Sequence, residues 1–201
     1  MRLNWSALLL AFGLNLSGFA IADTHKIDPA HSNLGFKIRH LLAKSTGKFK
    51  TYSGEFDYDA SKVKDAKFNL EIDAASIDTD NADRDKHLRS EDFFDTAKHP
   101  KITFKSTKVD PVGKDGMKIT GDLTMRGVTK PVTIEAKYLG ENVDPWGNAK
   151  AGWEGNLKLN RKDWGINWNK SLDKGGVVLG DDVEISLDIE TENVSKKKTK
   201  T

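Results

Sequence analysis

Residues Ser76–Ser106 read SIDTDNADRDKHLRSEDFFDTAKHPKITFKS, a charged, helix-prone stretch set between segments that alternate like β-strands. Thr79, Asn81 and Asp83 are candidate N-caps for a helix running to about Phe94, with Asp83 and Asp85 in its positively polarised first turn. Asp85 and Arg89 stand four apart and are expected to face each other. Phe93 and Phe94 close the segment with apolar bulk. Pro100 stops further helix, and a new strand is expected from Ile102.

Outward from this excursion the period is two. Leu34, Phe36, Ile38 and His40 fall on one face, and Asn33, Gly35, Lys37 and Arg39 on the other. Phe68, Leu70, Ile72 and Ala74 repeat the scheme, as do Ile119–Met125, Val132–Tyr138, Ala149–Leu159 and Val183–Ile189. Phe49 and Thr51 are odd-numbered while Phe56 and Tyr58 are even, so a bulge is expected near Tyr52 to Gly54. Turn signals separate the runs at Asp59-Ala60-Ser61, Gly113–Gly116, Arg126-Gly127 and Asp144–Gly147. About eight strands with one apolar face each are satisfied by a closed antiparallel barrel or, equally, by a two-sheet sandwich.

The chain opens with Arg2 and an apolar run from Ala7 to Leu16, and Ala20-Ile21-Ala22 is a small-x-small cleavage signal. The expectation is an exported protein whose signal peptide, residues 1–22, is cut between Ala22 and Asp23. The run is short of the roughly 20 apolar residues that span a bilayer. Cysteine is absent, which excludes disulfides and lipidation at an N-terminal Cys. The remaining 179 residues suit one domain, 23–195, with a basic tail at 196–201. Lys+Arg of 32 and Asp+Glu of 30 are interspersed, without the basic, aromatic-interleaved face that nucleic-acid binding asks for. The tail Lys196-Lys197-Lys198-Thr199-Lys200 reads as solvated, or as a weak transient attraction to anionic membrane worth about 1 kcal/mol per Lys at the surface.

A longer pattern runs through the chain: Ile27-Asp28-x-x-His31-Ser32, Leu34-x-Phe36-x-Ile38-x-His40, Gly47-x-Phe49 and Ser76-Ile77-x-Thr79. Then come Arg84-Asp85-x-His87-Leu88-x-Ser90-x-x-Phe93-Phe94, Pro100-x-Ile102-x-Phe104-x-Ser106, Gly121-x-Leu123-Thr124-x-x-Gly127-Val128 and Gly180-Asp181-x-Val183. In order and spacing this resembles the YceI-like family of secreted bacterial proteins. The resemblance implies a mainly β, lipocalin-like closed barrel of about eight strands, with a short helical excursion over about 79–95. It further implies a periplasmic carrier of a polyisoprenoid or isoprenoid quinone, with no cofactor beyond that lipid, and allows a homodimer. One departure is Trp164 in Arg161-Lys162-Asp163-Trp164-Gly165, where the family favours Phe before the Gly.

Small inward positions (Ala74, Gly121, Ala136, Ala149, Ala151, Gly155) mix with large ones, so the interior reads either as a roomy aromatic-lined hollow or as an interdigitated filled core. The resemblance favours the hollow. Its wall candidates are Phe36, Ile38, His40, Phe49, Phe68, Leu70, Phe104, Leu123, Ile134, Trp153, Leu157 and Trp164. Arg84 and His87 are head-group candidates, with surface pairing to Asp83, Asp85 and Asp92 as their competing role. His31 and Ser32 read as strand-entry residues whose side chains satisfy turn backbone groups.

No G-x-S-x-G elbow or phosphate-cradling glycine loop occurs, so no catalytic residue is assigned. Asp83, Asp85 and His87 are the residues a small metal-dependent hydrolase would draw on, but without HExxH, and with His25, His31, His40 and His99 scattered, no metal site is assigned. A ligand-free stress-response module acting through its surface is the remaining alternative.

Overall fold

The computed structural model describes residues 22–173 and 176–196; the expected leader up to residue 21 and the tail beyond Lys196 lie outside the described residues. Eleven strands follow the chain: β1 (Asp23–Ile27), β2 (Asn33–His40), β3 (Ala43–Phe49), β4 (Tyr52–Tyr58), β5 (Lys67–Asp73), β6 (Ile77–Asp78), β7 (Lys101–Val112), β8 (Gly116–Met125), β9 (Val128–Val143), β10 (Ala149–Asn160) and β11 (Leu179–Asn193). One α-helix, α1 (Ala82–Arg89), is inserted between β6 and β7.

These strands close into an antiparallel barrel with eight strand lines. β11 pairs with β10 on one side, and on the other with both β1 (His25 opposite Asn193) and β2 (Ile38 opposite Val183). β1 and β2 therefore lie along one line, broken by the 3-10 turn Pro29–His31. β3 and β4 form the next line, because β3 pairs with β2 and β4 with β1. β5 and β6 form the third, broken by the turn Ala74–Ser76. β1 closes the ring by pairing with both β4 and β11, while β3 and the short β6 end the sheet beyond β2, with no pairing between β6 and β7 among the described residues.

The expected bulge at Tyr52–Gly54 is not there. The phase slip between Phe49 and Phe56 comes from the break at Lys50–Thr51, where the backbone leaves its strand neighbour for another partner. Lys50 N–H donates to Ser76 O (3.2 Å), Thr51 N–H donates to Ser76 Oγ (3.0 Å), and Thr51 O accepts from Asp73 N–H (2.9 Å). A register slip does occur in β9, where Gly152 faces Gly140 and Trp153 faces Tyr138, leaving Leu139 without a partner.

α1 is shorter than the sequence implied. Asn81 is its cap, accepting from Arg84 N–H at 2.9 Å. It stops at Arg89 because Ser90 is extended (φ −72°, ψ 174°) and its hydroxyl donates to His87 O at 2.7 Å, occupying a carbonyl that a further turn would need. Phe93 and Phe94 follow in turns. Asp85 and Arg89 do not pair. The Asp85 carboxylate, buried, accepts from Thr79 N–H (2.9 Å) and Thr79 Oγ1 (2.6 Å), while Arg89 donates to Ala75 O and Ile77 O (2.7 and 2.8 Å). Both side chains tether the helix to the strand before it.

Candidate ligand cavity

Every barrel strand turns its apolar face inward, yet the inward residues divide by height. Towards the end that carries the β4–β5, β7–β8 and β9–β10 turns, the interior is filled. Trp153 (5% exposed) stands edge-on to His25, Phe56, Tyr58 and Phe68 at centroid distances of 4.8–5.8 Å, and packs on Tyr138 at 4.7 Å. Its Nε1–H donates to Thr191 Oγ1 at 3.0 Å, so the indole is satisfied within this floor. Burial draws the His25 pKa below its ordinary value and pushes those of Tyr58 and Tyr138 up.

Above the floor the barrel is hollow, with a cavity of about 500 Å³. Its wall is built of Leu34, Phe36, Ile38, Phe49, Leu70, Phe104, Leu123, Ile134, Leu157, Ile185 and Leu187, among others. Several of these, including Phe36, Leu157 and Leu187, point inward but are only half-buried, because they face empty space. A filled interior would have buried them. Gly47 lets the outer end of the Phe36 ring approach β3 closely, since an added Cβ would collide with it.

Polar groups gather at the open end: His40, Ser45, Thr46, Thr79, Asp83, Arg84, His87 and Arg161. α1 brings Asp83, Arg84, His87 and Leu88 to this mouth, and the turns after it bring Phe93 and Phe94. Arg84 Nε and Nη2 donate to Thr79 Oγ1 and O (2.7 Å each), holding its guanidinium against the strand. His87 Nε2 is 2.9 Å from Asp92 Oδ2, and its ring stands edge-on to Phe93 and Trp168, 4.9 Å from each. Arg161 is 3% exposed and gives Nε to Gly180 O (2.9 Å) and Nη1 to Ile166 O and Trp168 O (2.8 and 2.7 Å). It pins the connection between β10 and β11 across the rim.

Nine of the twelve wall candidates line the hollow: Phe36, Ile38, His40, Phe49, Leu70, Phe104, Leu123, Ile134 and Leu157. His40 is exposed on the rim rather than set in the core. Phe68, Trp153 and Trp164 do not line it. Phe68 and Trp153 belong to the floor, and Trp164, in a 3-10 turn, is buried beneath the rim with Nε1–H donating to Leu123 O at 3.2 Å. Both head-group candidates stand at the mouth. Arg84 has no carboxylate partner among the described residues, while His87 does pair with Asp92. Ile166, Trp168 and Leu179 also line the cavity and went unread in the sequence, although Trp164, Ile166 and Trp168 repeat at the strand period.

Asp83, Asp85 and His87 do not converge on a common point. Asp85 is spent on Thr79, and His87 on Asp92. Two other groups bring possible metal-ligating atoms together, Asp23 with His25 and Glu141, and Asp28 with His31 and Glu190. A lysine already sits in each. Lys196 Nζ is 3.0 Å from Asp23 and 2.6 Å from Glu141, and Lys150 Nζ is 2.7 Å from Asp28. His31 correspondingly bonds the Asp28 carboxylate (2.9 Å) instead of a turn backbone group, while Ser32 Oγ does reach Asp28 O and accepts from Glu190 N–H.

A closed eight-line antiparallel barrel with a filled floor, an apolar hollow and a helix across the mouth is a lipocalin-like architecture. Residues 25–191 match the model of the YceI-like domain. The chain is 47% identical over 153 residues to protein YceI of Escherichia coli, covering 75% of this chain and 80% of that one. A solved YceI structure from Campylobacter jejuni superposes with a TM-score of 0.67 at 33% identity, covering 86% of this chain and 97% of that one. A polyisoprenoid binding domain from Saccharophagus degradans shares the fold (TM-score 0.62, 18% identity, 86% and 99% covered). The chain belongs to the YceI-like family.

Proposed function

We propose that this protein is a passive carrier or store for one long-chain amphipathic lipid, of the polyisoprenoid or isoprenoid-quinone type, in the periplasm. The observation that carries the reading is the apolar hollow of about 500 Å³ inside a closed barrel. Burying an apolar chain there is favourable by about 25 cal/mol per Å² removed from water, with a few polar groups at the mouth fixing orientation. The name of the S. degradans relative, a polyisoprenoid binding domain, supports the same ligand class. Export rests on the apolar leader and the Ala20-Ile21-Ala22 signal.

No covalent chemistry is required. Arg84 and His87 stand where a head group would emerge, and the Arg84 side chain is exposed there. Of the side chains a hydrolase would draw on, Asp85 and His87 are tied to protein partners. The reading predicts that Leu157→Trp, which places bulk in the hollow, abolishes uptake of an added isoprenoid quinone while the far-UV circular dichroism of the barrel is kept. Undiminished uptake by that variant, one lipid per chain, would place the ligand elsewhere and sink the reading.

A further inference from the structure

The lipid-carrier reading leaves open how a water-insoluble ligand enters the barrel, and the β2–β3 hairpin bears on this. From Pro29 to Gly54 the chain has no Asp or Glu but carries Lys37, Arg39, Lys44, Lys48 and Lys50. At the tip of this basic hairpin stand Leu41 and Leu42, the latter 103% exposed and the former in the left-handed region (φ 51°). Tertiary structure sets two more exposed apolar side chains beside them. Leu41 N–H donates to Val178 O (2.8 Å), Val177 is 42% exposed, and Leu172, also exposed, is tied to Gly176 O by its N–H.

This apolar tip is on the rim of the cavity. His40 and Ser45, on either side of the turn, line the hollow, as do Val178 and Leu179 beside Leu41. Lys44 pairs with Glu184 and Lys50 with Asp78, whereas Lys37, Arg39 and Lys48 form no ion pair among the described residues. At the filled end Val112, Leu139, Val143 and Trp146 are also exposed; Val143 and Trp146 lie in a turn with Asp144, and Glu141 beside it is paired with Lys196. The unpaired cations beside the apolar tip give an anionic surface a point of attraction at the open end.

We propose that the β2–β3 hairpin docks the open end of the barrel on an anionic lipid bilayer, Leu41 and Leu42 entering the interface and the surrounding cations meeting lipid head groups. The ligand then passes between bilayer and hollow over a rim whose apolar tip, Leu41 and Leu42, adjoins the cavity-lining Val178 and Leu179. Apolar insertion combined with electrostatic attraction is the general basis of such interfacial binding. The proposal rests on the carrier reading but names a surface outside the cavity wall.

The test is sedimentation with vesicles of phosphatidylcholine alone or with phosphatidylglycerol added, comparing wild type, Leu42→Glu, Arg39→Glu and Trp146→Glu, all prepared identically. Leu42 is fully exposed, so its replacement leaves the fold intact, and thermal melting checks this. The expected result is binding that needs phosphatidylglycerol and weakens with salt. Leu42→Glu should lose about tenfold or more in partitioning, as removal of one buried leucine implies. Arg39→Glu should reduce chiefly the salt-dependent part, and Trp146→Glu should change nothing. Equal partitioning of wild type and Leu42→Glu, or none by wild type, overturns the docking site. Sedimentation velocity supplies another overturning outcome: a dimer abolished by Leu42→Glu would assign the tip to a second copy. Measuring retained lipid in the same samples separates the two claims, because a lipid-loaded Leu42→Glu protein that still docks refutes the hairpin and leaves the carrier standing.

Discussion

Two aromatic residues on inward faces illustrate how little a side chain's direction says about its role. Phe36 faces the hollow, half-buried, with its ring 6.0 Å from Phe49, whereas Trp153 is wedged into the floor with a satisfied indole N–H. Phe36→Ala is therefore expected to lower lipid retention at a cost of only about 1–2 kcal/mol in stability, because much of the ring is not in protein contact. Trp153→Ala is expected to cost about 3–5 kcal/mol by opening the floor. Denaturant unfolding beside a lipid-retention assay checks the contrast, and equal destabilisation by the two would contradict it. The Asp28 carboxyl gives a pH signature at the same scale. Hydrogen bonds from Lys150 and His31 hold its pKa at about 2, below the ordinary 3.8. A depressed carboxylate stabilises the fold fully above its unfolded value and loses that contribution as pH falls through the folded one. Lys150→Met is thus expected to weaken the protein at pH 6 by on the order of 1 kcal/mol, allowing for solvent screening, with the gap to wild type closing between about pH 4 and pH 2. Thermal melts across that range check it. His31, raised by its hydrogen bond to Asp28, works in the opposite sense: its contribution is complete below its ordinary 6.5 and lost as pH rises through the folded value.

At the scale of elements, Arg161 is the buried anchor among several residues that hold the connection between β10 and β11. Arg161 satisfies the carbonyls of Gly180, Ile166 and Trp168 from a buried position. Arg161→Leu leaves these acceptors without their donor and is expected to cost about 3 kcal/mol, with amide exchange rising first over the rim segment around Ile166 and Trp168. Arg161→Lys is expected to rescue little, since an ammonium lacks the planar fork that reaches several carbonyls at once. Equal protection in wild type and Arg161→Leu would contradict this. The strands themselves were readable because alternation and turn residues agree; Arg126-Gly127, for instance, is a two-residue turn with φ of 51° and 74°. Their breaks were not. Lys50–Thr51 mimics a bulge in sequence because both shift the phase by one, and only the partner strands tell them apart. The helix cap at Asn81 was among the candidates, whereas the helix end depended on the Ser90 hydroxyl, which no periodicity reveals. Alternation likewise gives the side of the sheet but not the height along the barrel axis. For that reason Phe68 and Trp153 were grouped with Phe36, and Trp164, lying in a 3-10 turn, had no alternation to follow.

At the scale of the molecule, closure makes the hollow, and the filled floor makes it a blind one. Such a barrel keeps its shape without ligand because its core does not depend on the hollow: Phe56, Phe68, Tyr58 and Trp153 pack below it, where β1 closes the ring of strand pairs through β4 and β11. A ligand that binds only the folded barrel adds stability by mass action, about 2.7 kcal/mol at a hundredfold excess over its Kd, so loaded protein should melt higher than stripped protein. The central claim is that the hollow holds a lipid. It is tested most directly by native mass spectrometry of the protein purified from the bacterium that makes it, set beside the mass of its organic-solvent extract. The account predicts one lipid per chain, of defined mass and isoprenoid composition, released into the solvent. A bare protein mass, together with no uptake of added isoprenoid, would contradict it.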